Sequence, residues 1–238
     1  MTTILFDLGF TLIHFPEKER ARVREECTRL LAKAGLAYDW VPDERRKRHF
    51  ELTTGAIDLA ELWELLLQTK SVVNPALAKA LEEVQLNEKA ELYPDALEAI
   101  RLLKKKDFNI GILANSWPAN ELHVKELLDH KVDAVVFSHK LGFRKPHRKA
   151  YLALCRELGA EPKDCVFVSD EIYEDLWGAR RLGMKTAYVR RERGAGVFQI
   201  DPDARVIEPD YETGSLLELA ELLKPPQKRA INDSYVFI

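Results

Sequence analysis

Between residues 95 and 189 the sequence alternates helix-length segments with short, almost wholly apolar runs. The runs are Ile110-Gly111-Ile112-Leu113-Ala114, then Ala134-Val135-Val136-Phe137, then Cys165-Val166-Phe167-Val168, then Thr186-Ala187-Tyr188-Val189. A further run, Ile4-Leu5-Phe6, opens the chain, within a strand expected over residues 3–7. Strands without polar alternation are buried on both faces. Alternating with helices, they specify a parallel sheet covered on either side, a Rossmann-like α/β fold. Helices are expected over 95–105, 119–129, 146–158, 172–182 and, after Val206-Ile207, 215–223.

One stretch breaks the alternation. From residue 17 to residue 88 the chain is rich in Leu, Ala, Glu, Lys and Arg. Leu30, Leu31 and Ala34, and then Leu59, Leu62, Trp63 and Leu66, recur at helical spacing. Pro16, Pro42 and Pro75 each stand where a helix can begin. This predicts an all-helical insert of about four helices between the first strand and the rest. Residues 1–16 and 89–224 then form the α/β core domain, 17–88 the helical domain and 225–238 a tail without chemistry. Of the insert's aromatic groups, Trp40, His49, Phe50 and Trp63, helical spacing assigns most to the core.

Composition removes several classes of function. Charged residues make up 32% of the chain but balance to a net charge of -3, which gives no electrostatic footprint for nucleic acid. The basic run Arg45-Arg46-Lys47-Arg48 is short, flanked by acids, and reads as a solvated helix face. No apolar run approaches the ~18 residues of a membrane span. Cys27, Cys155 and Cys165 are odd in number and lack metal-ligand spacing, and no secretory leader precedes the first strand. A cytoplasmic protein with free thiols is expected. Oligomeric state is left open.

In an open parallel sheet, ligands bind beyond the carboxyl ends of the strands, near a topological switch point. Polar residues just beyond three of the apolar runs include Asp7, Asn115-Ser116 and Asp170, and a loop brings Arg144-Lys145. Glu171 and Asp175 follow Asp170 closely, so several carboxylates gather at one sheet edge. They would repel unless a cation lay among them, and a hard divalent ion such as Mg²⁺ takes oxygen ligands of this kind. Lys145 suits a metal-bound phosphate, whose oxygens it would hold. Asn115 and Ser116 offer backbone N–H groups and a hydroxyl at a strand-to-loop turn. An isolated Asp, Asn or Ser at such a turn often does no more than cap a helix. Only the convergence of the whole set points to chemistry.

Four stretches carry a family likeness: ILFDLGFTLI, YPDALEAIRLLKKKDFNIGILANSW, KLGFRKPHRKAYLALCRELGA and VFVSDEIYEDLWGARRLGMKTAYV. In order and spacing they resemble the haloacid dehalogenase-like hydrolases, most of which are phosphatases. The resemblance covers nearly the whole chain and implies that the helical insert is a mobile cap. It implies Asp7 as the nucleophile, forming an aspartyl phosphate from a small phosphorylated metabolite. It implies Mg²⁺ held by Asp7, the Gly9 carbonyl and Asp170. Asp175 would support the metal or orient Lys145, and Lys145 would stabilise the transferring phosphoryl group. Asn115 and Ser116 would contact phosphate.

Two positions depart from the family pattern. Gly9 stands where phosphatases of this type carry a second aspartate as general acid and base, with Phe10 in place of the usual glycine. Ala114 stands where a Ser or Thr is usual. A slower, more leaving-group-dependent enzyme is expected, since positioned acid–base groups contribute roughly 10²–10⁴-fold. His14 is the nearby substitute acid, or lines the cap hinge. The alternatives are a non-catalytic binding relative, a metal-independent carbon–halogen hydrolase and a signalling receiver domain. The large insert argues against the last.

Overall fold

The computed structural model describes residues 3–128, 130–191 and 207–226. The chain begins with β1 (Thr3–Phe6) and β2 (Ile13–His14). Four helices follow: α1 (Glu17–Ala32), α2 (Val41–Thr54), α3 (Leu59–Gln68) and α4 (Pro75–Leu86). Next come β3 (Glu91–Leu92), α5 (Ala96–Lys105), β4 (Asn109–Ala114), α6 (Ala119–Leu128) and β5 (Ala134–Phe137). Then come α7 (Ser138–Leu141), α8 (Arg148–Glu157), β6 (Cys165–Ser169), α9 (Trp177–Arg180), β7 (Lys185–Val189), β8 (Tyr211–Thr213) and α10 (Leu216–Leu222).

Six strands form one sheet in the order β5-β4-β1-β6-β7-β8, all neighbours parallel. The expected α/β architecture is therefore present. β1 lies at its middle, pairing Phe6 with Ile112 on one side and with Val168 on the other. The chain moves outward from β1 in one direction and then returns to its other flank, which makes the end of β1 the switch point. Strand pleating divides the core. Ile4, Phe6, Ile112, Val166 and Val168 pack towards α5, α6 and α10. Leu5, Leu113 and Phe167 pack with Tyr151 and Leu154 of α8.

The four helices α1–α4 have a separate apolar core around Cys27, Leu31, Leu62, Trp63 and Leu81. Local chemistry sets their ends. Asp58 and Glu61 form a reciprocal capping box on α3, with Glu61 N–H donating to Asp58 Oδ1 at 2.8 Å and Asp58 N–H to Glu61 Oε2 at 2.9 Å. Asn74 caps α4 ahead of Pro75. Trp63 is fully buried, its indole N–H donating to Gln85. Trp40 packs against the same core, while Phe50 is exposed and His49 half-buried.

The boundaries follow the sequence reading closely, with informative differences. The helix expected from 146 starts at Arg148, because residues 144–147 form a turn closed by His147 N–H donating to the Arg144 carbonyl at 2.8 Å. The helix expected over 172–182 opens as one π turn, Ile172–Leu176, before α9. The short ribbon β2–β3 and the edge strand β8 carry too few residues to show a sequence period. Val206 and residues 227–238 of the tail lie outside the described residues. Among the described residues no helix is long and apolar enough to cross a membrane, and the three cysteines are buried and free.

The helical layer meets the sheet at α2 and α7. The Ser138 hydroxyl donates to the Thr53 carbonyl at 2.5 Å. α2 ends on Gly55 with φ 73°, and a Cβ there would fall 2.2 Å from the His139 carbonyl oxygen. Both the left-handed backbone and the close approach demand glycine. Gly55→Ala is expected to lower stability by at least about 1–2 kcal/mol from the backbone conformation alone. Urea unfolding checks this, and an unchanged midpoint would mean that the junction yields at no cost.

Candidate active site

Asp7 follows β1 at the switch point, its N–H donating to the Val168 carbonyl of β6 at 2.9 Å. The backbone then turns sharply. Phe10 takes φ 58°, in the left-handed region, and its N–H donates to the Ile13 carbonyl at 2.7 Å. This turn brings Thr11 back beneath the carboxylate. The Thr11 hydroxyl lies 3.1 Å from Asp7 Oδ2 and 3.1 Å from Asp170 Oδ1.

Lys145 reaches the same point from the loop before α8. Its ammonium is 2.5 Å from Asp7 Oδ1 and 2.6 Å from Asp175 Oδ2. The lysine is 1% exposed, so the two carboxylates are its solvent. Asn115 fixes the lysine's main chain from both sides. Its Nδ2 donates to the Lys145 carbonyl at 3.0 Å, and the Lys145 N–H donates to its Oδ1 at 2.7 Å. Asp175 is held in turn by the Ser169 hydroxyl at 2.8 Å. The π turn explains how Asp175 reaches inward. It closes with Leu176 N–H on the Glu171 carbonyl, and the extra residue turns Glu174 and Asp175 towards Arg144 and Lys145.

Burial raises the Asp7 pKa, Lys145 opposes this, and the nearby Asp175 and Asp170 raise it further, to about 7. For Lys145, burial pulls the pKa down, but Asp175 and Asp7 outweigh it and hold the ammonium above its ordinary value. Arg144 is buried beside them, 3.2 Å from Glu174 Oε2 and 3.3 Å from the Thr53 hydroxyl. Its buried guanidinium thus ties the site to α2 of the helical layer.

Asp7, Asn115, Lys145, Asp170 and Asp175 therefore converge from separate parts of the chain. The Asn115 side chain is committed to the Lys145 backbone. Ser116 is fully buried; its N–H donates to the Ser138 hydroxyl at 2.9 Å, and its own hydroxyl has no hydrogen-bond partner among the described residues. Asp175 is turned to Lys145 and Ser169. His14 sits in the β2–β3 ribbon, its ring 4.8 Å from that of Tyr93. Thr11, Arg144, Glu174 and Ser169 complete the site without having been assigned roles from the sequence. Thr11 and Arg144 had a signal, lying four residues after Asp7 and directly before Lys145.

The donor set suits a hard divalent ion. Thr11 accepts from the Asp170 N–H at 3.2 Å and has one proton to give, yet two carboxylate oxygens face its hydroxyl. A cation or an extra proton relieves that crowding. Among the described residues no group of three or more His, Cys, Asp or Glu forms a ready ligand cluster. Two carboxylates with the remaining positions left to water, a carbonyl and substrate is the pattern of Mg²⁺ rather than of a protein-caged ion.

The family model for haloacid dehalogenase-like hydrolases matches residues 1–183. The chain is 26% identical over 242 aligned residues to the glyceraldehyde 3-phosphate phosphatase of Methanopyrus kandleri, covering 93% of this chain and 96% of that one. It is 27% identical over 208 residues to (S)-2-haloacid dehalogenase 4A of Burkholderia cepacia, covering 84% and 82%. A HAD phosphatase from Thermococcus onnurineus, known as a crystal structure, superposes with a TM-score of 0.64 at 24% identity, covering 94% and 99%.

The raised Asp7 pKa has a measurable consequence. Between the ordinary carboxylate range and about 7, the folded protein keeps a proton on Asp7 that the unfolded chain has released. This group's contribution to stability therefore falls as pH rises through that window. Asp7→Asn is neutral throughout and escapes the loss. Without divalent metal, the Tm of Asp7→Asn relative to wild type is expected to rise between about pH 5 and about pH 8. A difference independent of pH contradicts the assignment.

Proposed function

The chain belongs to the haloacid dehalogenase-like hydrolases, and we propose that within this family it is a Mg²⁺-dependent phosphatase of a small phosphorylated metabolite. The observation that carries this reading is the approach of two carboxylates to one hydroxyl, with Asp7 Oδ2 and Asp170 Oδ1 each 3.1 Å from the Thr11 hydroxyl. A divalent ion would draw the two carboxylates together there, and phosphoryl transfer uses one. The phosphatase-named relative that spans nearly the whole chain supports the same choice.

On this reading Asp7 attacks phosphorus, and the alcohol leaves as the aspartyl phosphate forms. Lys145, between Asp7 and Asp175, keeps Asp7 aligned and offsets charge on the phosphoryl oxygens. Asn115 sets the height of Lys145 through its backbone. Mg²⁺, held by Asp7, Asp170 and the Gly9 carbonyl, would supply further charge neutralisation. Water then attacks phosphorus and releases phosphate. Helices α1–α4 act as the cap that closes over the substrate, with residues 17–88 as a domain of their own. Three buried thiols suit a reducing cytoplasm.

Carbon–halogen hydrolysis is the second reading. It draws on the dehalogenase relative and on Gly9, since that reaction needs no acid for its leaving group. It leaves the Asp7–Asp170 pair around Thr11 without a use. The deciding experiment sets aryl, sugar and nucleoside phosphates beside 2-haloacids, each with Mg²⁺ and with chelator. Phosphate release that needs Mg²⁺ and is lost in folded Asp7→Asn is expected. Halide release unaffected by chelator would overturn the phosphatase reading.

Gly9 allows a sharper test. A Cβ there would meet nothing within 4 Å, so a side chain can start from this position without a clash at its first atom. Gly9→Asp restores a group able to protonate a leaving alkoxide. It is expected to raise turnover of alkyl phosphates by about tenfold or more, and of aryl phosphates much less. Rates plotted against leaving-group pKa check this. Equal effects on both classes would show that proton supply does not limit the wild type.

A further inference from the structure

The turn after Asp7 is held from outside. Phe10 lies in the left-handed region, where a non-glycine residue stays only if its surroundings over-determine it. Within the turn, the Leu12 and Ile13 N–H groups both donate to the Leu8 carbonyl, at 2.9 and 3.0 Å. The carbonyls of Thr11 and Leu12 are taken up by residues far along the chain. Tyr93 N–H donates to the Leu12 carbonyl at 3.0 Å. Arg191, two residues beyond β7, donates from Nη2 to the Thr11 carbonyl at 3.2 Å.

Arg191 is itself fixed on an edge and on a face. Its guanidinium forks onto Asp95, Nη2 to Oδ1 at 2.8 Å and Nη1 to Oδ2 at 3.1 Å. Its Cζ lies over the Tyr93 ring, 4.0 Å from the ring centre, and that ring meets His14 at 4.8 Å. The arginine side chain is 8% exposed. A planar fork held in this way has little freedom left, so it sets where the Thr11 carbonyl lies. A lysine ammonium, a point charge on a flexible stem, cannot match the fork and the stack together. Thr11 is fully buried and β-branched, so its stiff side chain moves with its backbone. Its hydroxyl is the group that lies 3.1 Å from Asp7 Oδ2 and 3.1 Å from Asp170 Oδ1.

We propose that Arg191 is a positioning residue. Through the Thr11 backbone it sets the hydroxyl between Asp7 and Asp170, and so holds those two carboxylates at the spacing a divalent ion needs. This rests on the Mg²⁺-dependent reading above and deepens it. By stacking on Tyr93, the same arginine also fixes the foot of the β2–β3 ribbon, where the chain enters and leaves α1–α4.

Calorimetric titration of substrate-free protein with Mg²⁺ tests this without turnover. Arg191→Met keeps an unbranched stem over Tyr93 and removes the donors. It is expected to weaken Mg²⁺ binding by about tenfold, the low end for residues that act on a metal through its ligands. Thr11→Val keeps the branched shape and lacks the hydroxyl. In that background Arg191→Met is expected to have little further effect, because two links of one chain of contacts do not add. Arg191→Lys, with charge beside Asp95 but no fork, is expected to fall between, and it carries the comparison if the methionine variant does not fold. A purely structural arginine would lower Tm and leave Mg²⁺ affinity unchanged at a temperature where both proteins are folded. That result, or an equal loss with and without the Thr11 hydroxyl, overturns the proposal. Wild-type protein that binds no Mg²⁺ marks the failure of the Mg²⁺-dependent reading itself, and the proposal falls with it.

Discussion

The site depends on one buried cation. Lys145 lies between Asp7 and Asp175 with almost no contact with water. Isolated, a buried ammonium would shed its proton, and each carboxylate would hold one. Placed between two acids it keeps its charge, and it limits how far the pKa of Asp7 can climb. Breaking such a cluster by removing one member leaves an uncompensated charge, which typically costs about 3–5 kcal/mol. The surrounding structure is arranged so that none of the three can relax away. Asn115 holds the lysine's backbone, Ser169 and the π turn hold Asp175, and β1, paired on both sides, holds Asp7.

That arrangement also links the site to the helical layer. The loop that carries Lys145 carries Arg144, and Arg144 reaches Glu174 on the π turn and Thr53 on α2. Gly55, two residues further along, allows α2 to lie directly on the carbonyl of His139. A shift of α2 is therefore transmitted to the residue beside the buried lysine. On the proposed cap reading, this contact would couple the position of α1–α4 to the site.

The parts of this account that depend on burial were legible in the sequence. Strands buried on both faces advertise themselves as apolar runs, and β4, β5, β6 and β7 lie within a residue of where those runs predict them. Asp7 and Asp170 stood out because each is the first carboxylate after such a run. Features that depend on which atom meets which were not legible. That the Asn115 side chain clamps a neighbouring peptide depends on the path of residues 144–147, which no local pattern specifies. The direction of Asp175 depends on one extra residue in a helical turn, which leaves no trace in periodicity.

If Asp7 is the group that the rest of the site exists to hold, it must carry the phosphoryl group during turnover. The direct measurement is rapid quenching of wild-type protein mixed with Mg²⁺ and a labelled aryl phosphate, followed by mapping of the label to a peptide by mass spectrometry. Without an acid–base side chain at Gly9 to speed hydrolysis, the covalent species is expected to build up on the peptide containing Asp7. Rapid turnover with no labelled protein at any time, or label on another residue, would contradict the account.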